Sequence, residues 1–190
     1  MMLENERDDT GIVTKLFEHN VWANLKLLDF CEGLSDEHLD STAIGCYGSI
    51  RDTLGHIVRG EVSYVERVNG RLPAVPPRRG EFAGFEVLKD AVRWTGEELL
   101  ELALSGRKES MVQEREGELG VEYKLSSLMV QAVTHSTEHR TQIAAIITQL
   151  GMEPPDMSGW KYMEEIGEFR EFRQEAGGPK EYKSRPPMEA

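Results

Sequence analysis

The 190-residue sequence predicts an all-α protein, a four-helix bundle with a short β-hairpin between its third and fourth helices. Two observations predict this fold. Four segments of about twenty residues repeat apolar side chains at three- and four-residue steps, the spacing of one face of an α-helix. Loops rich in proline, glycine or charged residues separate them. Helices of this length, ~30 Å, bury their apolar faces most simply against one another.

The first two helices are predicted over Gly11–Glu32 and Ser49–Asn69. A glycine follows each of them, and glycine is favoured just beyond the C-terminus of a helix. Ser49 begins the second helix, and Asp52 three residues later completes a pattern that resembles a capping box. The apolar stripe of the first helix comprises Ile12, Leu16, Val21, Ala23, Leu27, Leu28 and Phe30, and that of the second comprises Ile50, Leu54, Ile57, Val58, Val65 and Val68.

The third and fourth helices are predicted over Phe85–Leu104 and Ser126–Leu150. The prolines within Leu72–Gly80 exclude a helix there, because proline lacks a backbone N–H and clashes with the preceding turn. Between the third and fourth helices, Met111–Glu114 and Val121–Tyr123 are predicted to pair as a β-hairpin. The predicted core positions are Val87, Leu88, Ala91, Val92, Leu99 and Leu102 in the third helix, and Leu128, Ala132, Ile143 and Ile146 in the fourth.

The domain organisation follows from the same pattern. We expect one bundle domain over residues 11–163, preceded by a flexible N-terminus of residues 1–10. A polar C-terminal tail, residues 164–190, is expected to follow it, because this stretch holds little apolar content.

Composition argues against several classes of function. With 34 acidic and 22 basic residues the net charge is −12, which opposes binding to nucleic acid or to an anionic membrane surface. No apolar run approaches the ~18 residues of a membrane span, and the acidic start does not resemble a secretory signal. The two cysteines, Cys31 and Cys46, form neither a C-x-x-C pair nor a disulfide framework. We therefore expect a cytoplasmic protein.

Two histidines of the fourth helix, His135 and His139, suggest a metal site. Four residues turn a helix through about 400°, so both imidazoles lie on one face about 6 Å apart, close enough to bind one ion. They align with the apolar core positions of this helix, and metal ligation would satisfy one nitrogen of each buried ring. The H-E-x-x-H order of a metalloprotease is absent, since Glu138 directly precedes His139. A chance spacing without a metal stays open.

A metal site of this kind needs a third donor from a neighbouring helix. His56, in the middle of the second helix, is the candidate, because small residues flank it at helical spacing. A lone helix histidine with a local hydrogen bond is the open alternative. His19 of the first helix is expected either to contact the site or to lie near the surface. His38 is expected in a solvated loop or a short helix at the surface. Arg140 could bind an anionic substrate, but pairing with carboxylates at the surface is the favoured interpretation.

Together these residues resemble the DinB/YfiT-like family of metal-binding four-helix bundles. The first helix contains His19–Asn24, similar to an aromatic-Asn-x-Trp-Ala-Asn pattern, and the second contains Ile50–Ile57, similar to an apolar-x-His segment. The fourth contains His135–Ile143, similar to H-x-x-x-H-R-G-Q-I, and is followed by the Leu-Gly and Pro-Pro of Leu150–Asp156. A histidine replaces the common tyrosine of the first motif, and Thr141 replaces a common glycine of the fourth.

The resemblance covers about residues 11–163. It implies that His56, His135 and His139 hold one divalent metal ion, typically nickel or zinc, with open positions for water. Some relatives are thiol S-transferases or isomerases that use a low-molecular-weight thiol such as bacillithiol or mycothiol, and relatives commonly form homodimers. Asp52, one turn before His56, is expected either to orient that ring or to cap its helix.

Three hypotheses of function follow. The first is a metal-dependent transferase that adds a small cellular thiol to an electrophile, with a metal-bound thiolate as nucleophile. The second is a non-catalytic metal-binding or interaction bundle. The third is a metal-dependent hydrolase with the same ligands. Three neutral imidazoles leave the charge of a divalent ion uncompensated, which favours formation of a nucleophile from a bound thiol or water. Imidazole suits zinc, nickel, copper and iron alike, so the donors do not identify the metal.

Overall fold

Four long helices and one β-hairpin make up most of the computed structural model, which describes residues 10–172 without Lys108 and Glu118. The all-α fold class and the hairpin are confirmed. The predicted N-terminus and tail fall largely on residues 1–9 and 173–190, which lie outside the described residues. In chain order the elements are α1 (Thr10–Glu32), α2 (Asp36–Leu39), α3 (Ile50–Asn69), α4 (Phe85–Leu104), β1 (Met111–Glu116), β2 (Leu119–Lys124), α5 (Leu125–Gln149) and α6 (Gly159–Glu165).

The long helices pack in a ring. Helix α1 contacts α4 and α5, and α3 also contacts α4 and α5, so α1 and α3 lie diagonally across the bundle. Two apolar clusters fill its interior, one built around Leu28, Ile57 and Ile147 and the other around Val65 and Leu99. This unit extends to Met157, and a second unit begins with Ser158 and contains α6. None of the helices within the described residues is both long and apolar enough to cross a membrane.

The ends of α3 follow the local sequence. Ser49 and Asp52 form the predicted capping box, in which the Asp52 N–H donates to Ser49 Oγ at 3.1 Å and the Ser49 N–H donates to Asp52 Oδ2 at 3.4 Å. Gly70 ends the helix with φ of +71°, a conformation that costs glycine little because it has no Cβ. The start of α5 differs from the prediction. Strand β2 runs directly into α5, and Lys124 occupies the N-cap position without a side-chain cap.

The start of α1 corrects the predicted core. Ile12 and Leu16 are 68% and 50% exposed, whereas Phe17 is buried and packs in the second apolar cluster. The buried face of α1 at this end passes through Phe17, which lies about 100° around the helix from Leu16, so the predicted stripe is wrong here. The two exposed residues, one helical turn apart, form an apolar strip on the surface of α1.

Candidate metal centre

Three histidine side chains meet between α3 and α5. His56 comes from α3, and His135 and His139 come from successive turns of α5. One ring nitrogen from each lies within 4.8 Å of the others, and the Nε2 atoms of His56 and His135 are 3.0 Å apart. Nitrogens that bind one ion at about 2.0–2.1 Å lie roughly 2.9–3.4 Å from each other. The His56–His135 pair has this spacing, and the three histidines together could hold a single metal ion.

The ring nitrogens of this cluster are poorly satisfied by the protein itself. Between the facing Nε2 atoms of His56 and His135 only one proton can be shared. His135 Nδ1 is buried and has no hydrogen-bond partner among the residues that the structure describes. Buried polar atoms are nearly always paired, so an unsatisfied group indicates a function or a missing ligand. Without a metal one of these Nε2 atoms donates to the other, and a cation that accepted both lone pairs would replace that hydrogen bond.

His135 is held by packing instead. A Cβ at position 60 would lie 2.9 Å from Cε1 of the His135 ring, so Gly60 leaves the space that this ring occupies. On the same face of α3, the Tyr64 ring meets the imidazole edge-on with centroids 5.9 Å apart. Gly60, one helical turn after His56, is therefore required by the His135 ring, which comes from the facing helix α5.

His139 is oriented by a hydrogen bond. Its Nδ1 lies 3.0 Å from Oε1 of Gln142, and the same oxygen accepts the backbone N–H of Tyr47 at 3.0 Å. Because the glutamine oxygen can only accept, the His139 Nδ1 carries the proton and Nε2 keeps its lone pair. This is the arrangement typical of histidine ligands, whose second nitrogen donates to a neighbouring acceptor. Gln142 was not predicted as a site residue, although it lies only three residues beyond His139.

Tyr47 covers the cluster from the loop that precedes α3. Its ring stacks on His56 with centroids 3.9 Å apart and an interplanar angle of 14°, and it meets His139 edge-on at 5.4 Å. The side chain is 51% exposed, so one face of the ring contacts the histidines while the other contacts solvent. No local periodicity marks a residue in an irregular loop, so this role of Tyr47 could not be predicted from the sequence.

The electrostatic environment favours neutral imidazoles. Burial lowers the pKa of His56 to about 4, and the nearby charges of His135, His139 and Arg59 act in the same direction. The pKa of His135 is also lowered, first by burial and then by His139, while Glu138 opposes the shift. A metal ligand must have an unprotonated nitrogen, so both rings are in the required form at neutral pH.

The other candidate residues have different roles. Asp52 is exposed and its carboxylate caps α3, so the capping alternative is the one that the structure supports. His19 is partly buried, and its Nε2 lies 3.0 Å from the carbonyl oxygen of Met157. Burial lowers its pKa, and Arg140 adds to this, against the effect of the Met157 carbonyl. His38 lies in the short helix α2, outside the three-histidine cluster.

A second polar cluster, centred on Glu61, lies beside the histidines. Glu61 is 0% exposed, and it follows Ile57 by four residues in the core stripe of α3. Its Oε1 accepts hydrogen bonds from two residues of α1 and one of α5, and its Oε2 accepts one from α4. The donors, each at 2.7–2.8 Å, are Asn20 Nδ2, Asn24 Nδ2, Ser136 Oγ and Thr95 Oγ1. Glu61 was not predicted as a buried residue; its position within an apolar stripe is the sequence signal for this cluster.

Arg140 belongs to this same cluster, and its predicted surface position is wrong. It is 3% exposed and donates from Nη1 to the Oδ1 atoms of Asn20 and Asn24 at 2.7 and 2.6 Å. Burial lowers its pKa to about 10, an effect that Glu61 opposes, so the guanidinium stays charged at neutral pH. The two asparagines thus bridge a buried anion and a buried cation, since each amide accepts from Arg140 and donates to Glu61.

The fold and the histidine cluster together define a class: helical bundles with a three-histidine centre that could bind one divalent metal ion. The DinB family model matches residues 2–173, so the chain belongs to the DinB family. The chain is also similar to Protein DinB of Bacillus subtilis (strain 168). The two are 25% identical over 146 residues, which cover 72% of this chain and 85% of that protein.

Proposed function

We propose that this DinB-family protein is a metal-dependent transferase that adds a low-molecular-weight thiol, of the bacillithiol or mycothiol type, to an electrophilic substrate. The supporting observation is the cluster of His56, His135 and His139, whose donors are all imidazoles. A divalent ion held by neutral ligands lowers the pKa of a bound thiol or water and so supplies a nucleophile near neutral pH. Nickel or zinc is the proposed metal, since imidazole suits both.

Glu138 and Glu61, the carboxylates near the cluster, are not placed to act as a general base. This favours a thiol over water as the nucleophile. Activation of water is helped by a general base within hydrogen-bond reach. Glu138, adjacent to His139 in sequence, is exposed, and both oxygens of Glu61 already accept hydrogen bonds from the core. A thiol has a free pKa of about 8.5 and needs less assistance to lose its proton.

The test combines metal analysis with an activity assay. Protein purified without a nickel column is expected to contain about one divalent ion per chain and to conjugate a thiol to a small electrophile. Chelator-treated protein should lose this turnover and regain it on addition of the metal. Metal without turnover, across several thiols and electrophiles, would instead support a non-catalytic metal-binding bundle. Thiol-independent hydrolysis would support the hydrolase.

We also propose that the protein is a homodimer. The apolar strip of Ile12 and Leu16 on α1 is exposed in the single chain and would be covered by a partner. Light scattering at micromolar concentration is expected to give about twice the 21.5 kDa of the chain. Leu16→Lys should shift the protein toward the monomer, whereas Lys15→Ala, next to the strip, should not. A monomeric wild-type protein would contradict the proposal.

A further inference from the structure

Arg59 is a basic residue near the three histidines whose guanidinium is unpaired among the described residues. It lies on α3, three residues after His56, and is partly buried. Within the described part of the chain, no carboxylate or hydrogen-bond acceptor contacts its guanidinium. By contrast Lys89 pairs with Asp29 and Glu32. Arg59 is partly buried, whereas the other described arginines whose guanidinium lacks a partner are exposed: Arg78, Arg79, Arg107, Arg115 and Arg170.

The backbone of α3 determines where this guanidinium lies. Side chains on a helix lean toward its N-terminus, so Arg59 extends back over the turn that contains Gly55 and His56. A Cβ at position 55 would lie only 2.6 Å from Nη1 of Arg59. The missing side chain of Gly55 therefore leaves the space that the guanidinium occupies. From this position the charge of Arg59 acts on the His56 imidazole.

We propose that Arg59 binds the substrate, by holding a carboxylate or phosphate group of the small molecule that reacts at the three-histidine cluster. The planar guanidinium presents two parallel N–H donors that match the oxygens of either group. A chain with a net charge of −12 repels small anions over most of its surface, so an anionic substrate needs a local cation of this kind. This inference rests on the proposed function, because it takes the cluster to be the reaction site.

The test compares two thiols that differ in one charge. Calorimetry on the full chain loaded with Zn²⁺ would measure binding of N-acetylcysteine and of its methyl ester. The wild-type protein is expected to prefer the free acid by about tenfold or more, the effect of a hydrogen-bonded charge pair. Arg59→Gln should bring the ratio close to one with unchanged metal content, and Arg59→Lys should retain part of it. Gly55→Ala, which displaces the guanidinium without removing its charge, should also reduce the ratio.

The matched control is Arg93→Gln, because Arg93 is exposed on α4 and pairs with Asp90. This variant should keep the full preference for the free acid. The same preference in wild-type protein and Arg59→Gln would overturn the role of Arg59 and leave the thiol transferase intact, since the metal alone would then attract the anion. A third outcome is that neither thiol binds, whereas succinate or inorganic phosphate binds the wild-type protein but not Arg59→Gln. This result would support Arg59 as an anion site and would contradict the proposed thiol transferase. Absence of binding by every one of these anions would overturn the proposal for Arg59.

Discussion

Helices α3 and α5 carry two polar clusters side by side, the Glu61 cluster and the three histidines, and they differ in how their polar atoms are satisfied. In the Glu61 cluster both carboxylate oxygens accept hydrogen bonds, and Arg140 supplies the compensating charge through Asn20 and Asn24. In the histidine cluster two Nε2 atoms face each other, and His135 Nδ1 has no partner among the described residues.

This difference distinguishes a polar network that stabilises the fold from a polar cluster that can bind a ligand. A buried charge network is stable only when every member is paired, and then it holds the helices in one arrangement. The facing imidazole nitrogens of His56 and His135 share one proton at most, and once unprotonated they provide the donors that a cation needs. Because Ser136 follows His135 directly and joins the Glu61 cluster, the satisfied network also fixes the turn of α5 that presents the ligands.

The largest effect is expected from removal of a histidine. His139→Ala should abolish stoichiometric metal binding, because it leaves only two of the three protein donors. The helical content should persist, since the apolar faces of the helices account for most of the burial. Metal content by mass spectrometry, with far-UV circular dichroism, checks both statements. His38→Ala is the control and should keep its metal. One tightly bound ion per chain in folded His139→Ala would show that the ligand assignment is wrong.

Removal of Glu61 should instead lower the stability of the fold. Glu61→Ala leaves Arg140 as a buried charge without its counter-ion and removes the acceptor for several buried donors. The free energy of unfolding should fall by about 3–5 kcal/mol, measured by urea denaturation. Glu97→Ala, an exposed glutamate on α4, should change it by less than about 0.5 kcal/mol. Equal stability of the two variants would mean that the network contributes nothing.

A smaller effect is expected at the helix contact behind His135. In Gly60→Ala the new Cβ would lie 2.9 Å from the imidazole, so the ring must move away from its position. Metal affinity should fall by about tenfold, as for other changes that disturb the orientation of a ligand. Gly106→Ala is the matched control, because a Cβ there meets no atom within 4 Å. Competition with a chromogenic chelator measures both, and unchanged affinity in Gly60→Ala would refute the packing argument.

The smallest effect concerns the metal-free protein in acid. The pKa of His56 is about 4 in the folded protein, against an ordinary value of 6.5. Between these values the unfolded chain binds a proton that the folded chain does not, so stability should decline as the pH falls from about 6.5 toward about 4. His135 contributes in the same direction. Urea midpoints from pH 7 to pH 4.5 should decline less steeply in His56→Gln, and equal slopes in the two proteins would contradict the prediction.

The features that the sequence predicted are those that depend on neighbours along the chain. Amphipathic spacing located the four long helices, and Ser49 with Asp52 identified the start of α3. The helical repeat alone was enough to predict that His135 and His139 lie on one face of their helix. His56 was harder, because its contact with α5 was inferred from the need for a third donor and from a family resemblance.

Other features depend on which helices lie next to one another, and only the tertiary structure decided them. The burial of Arg140 needs acceptors from α1, and Glu61 needs donors from α1, α4 and α5. Tyr47 reaches the histidines from a loop without periodicity. By itself the sequence determined the helices and one face of the metal centre, because local geometry follows from the helical repeat. The partners of each buried charge were decided by packing, because these contacts join residues far apart in the chain.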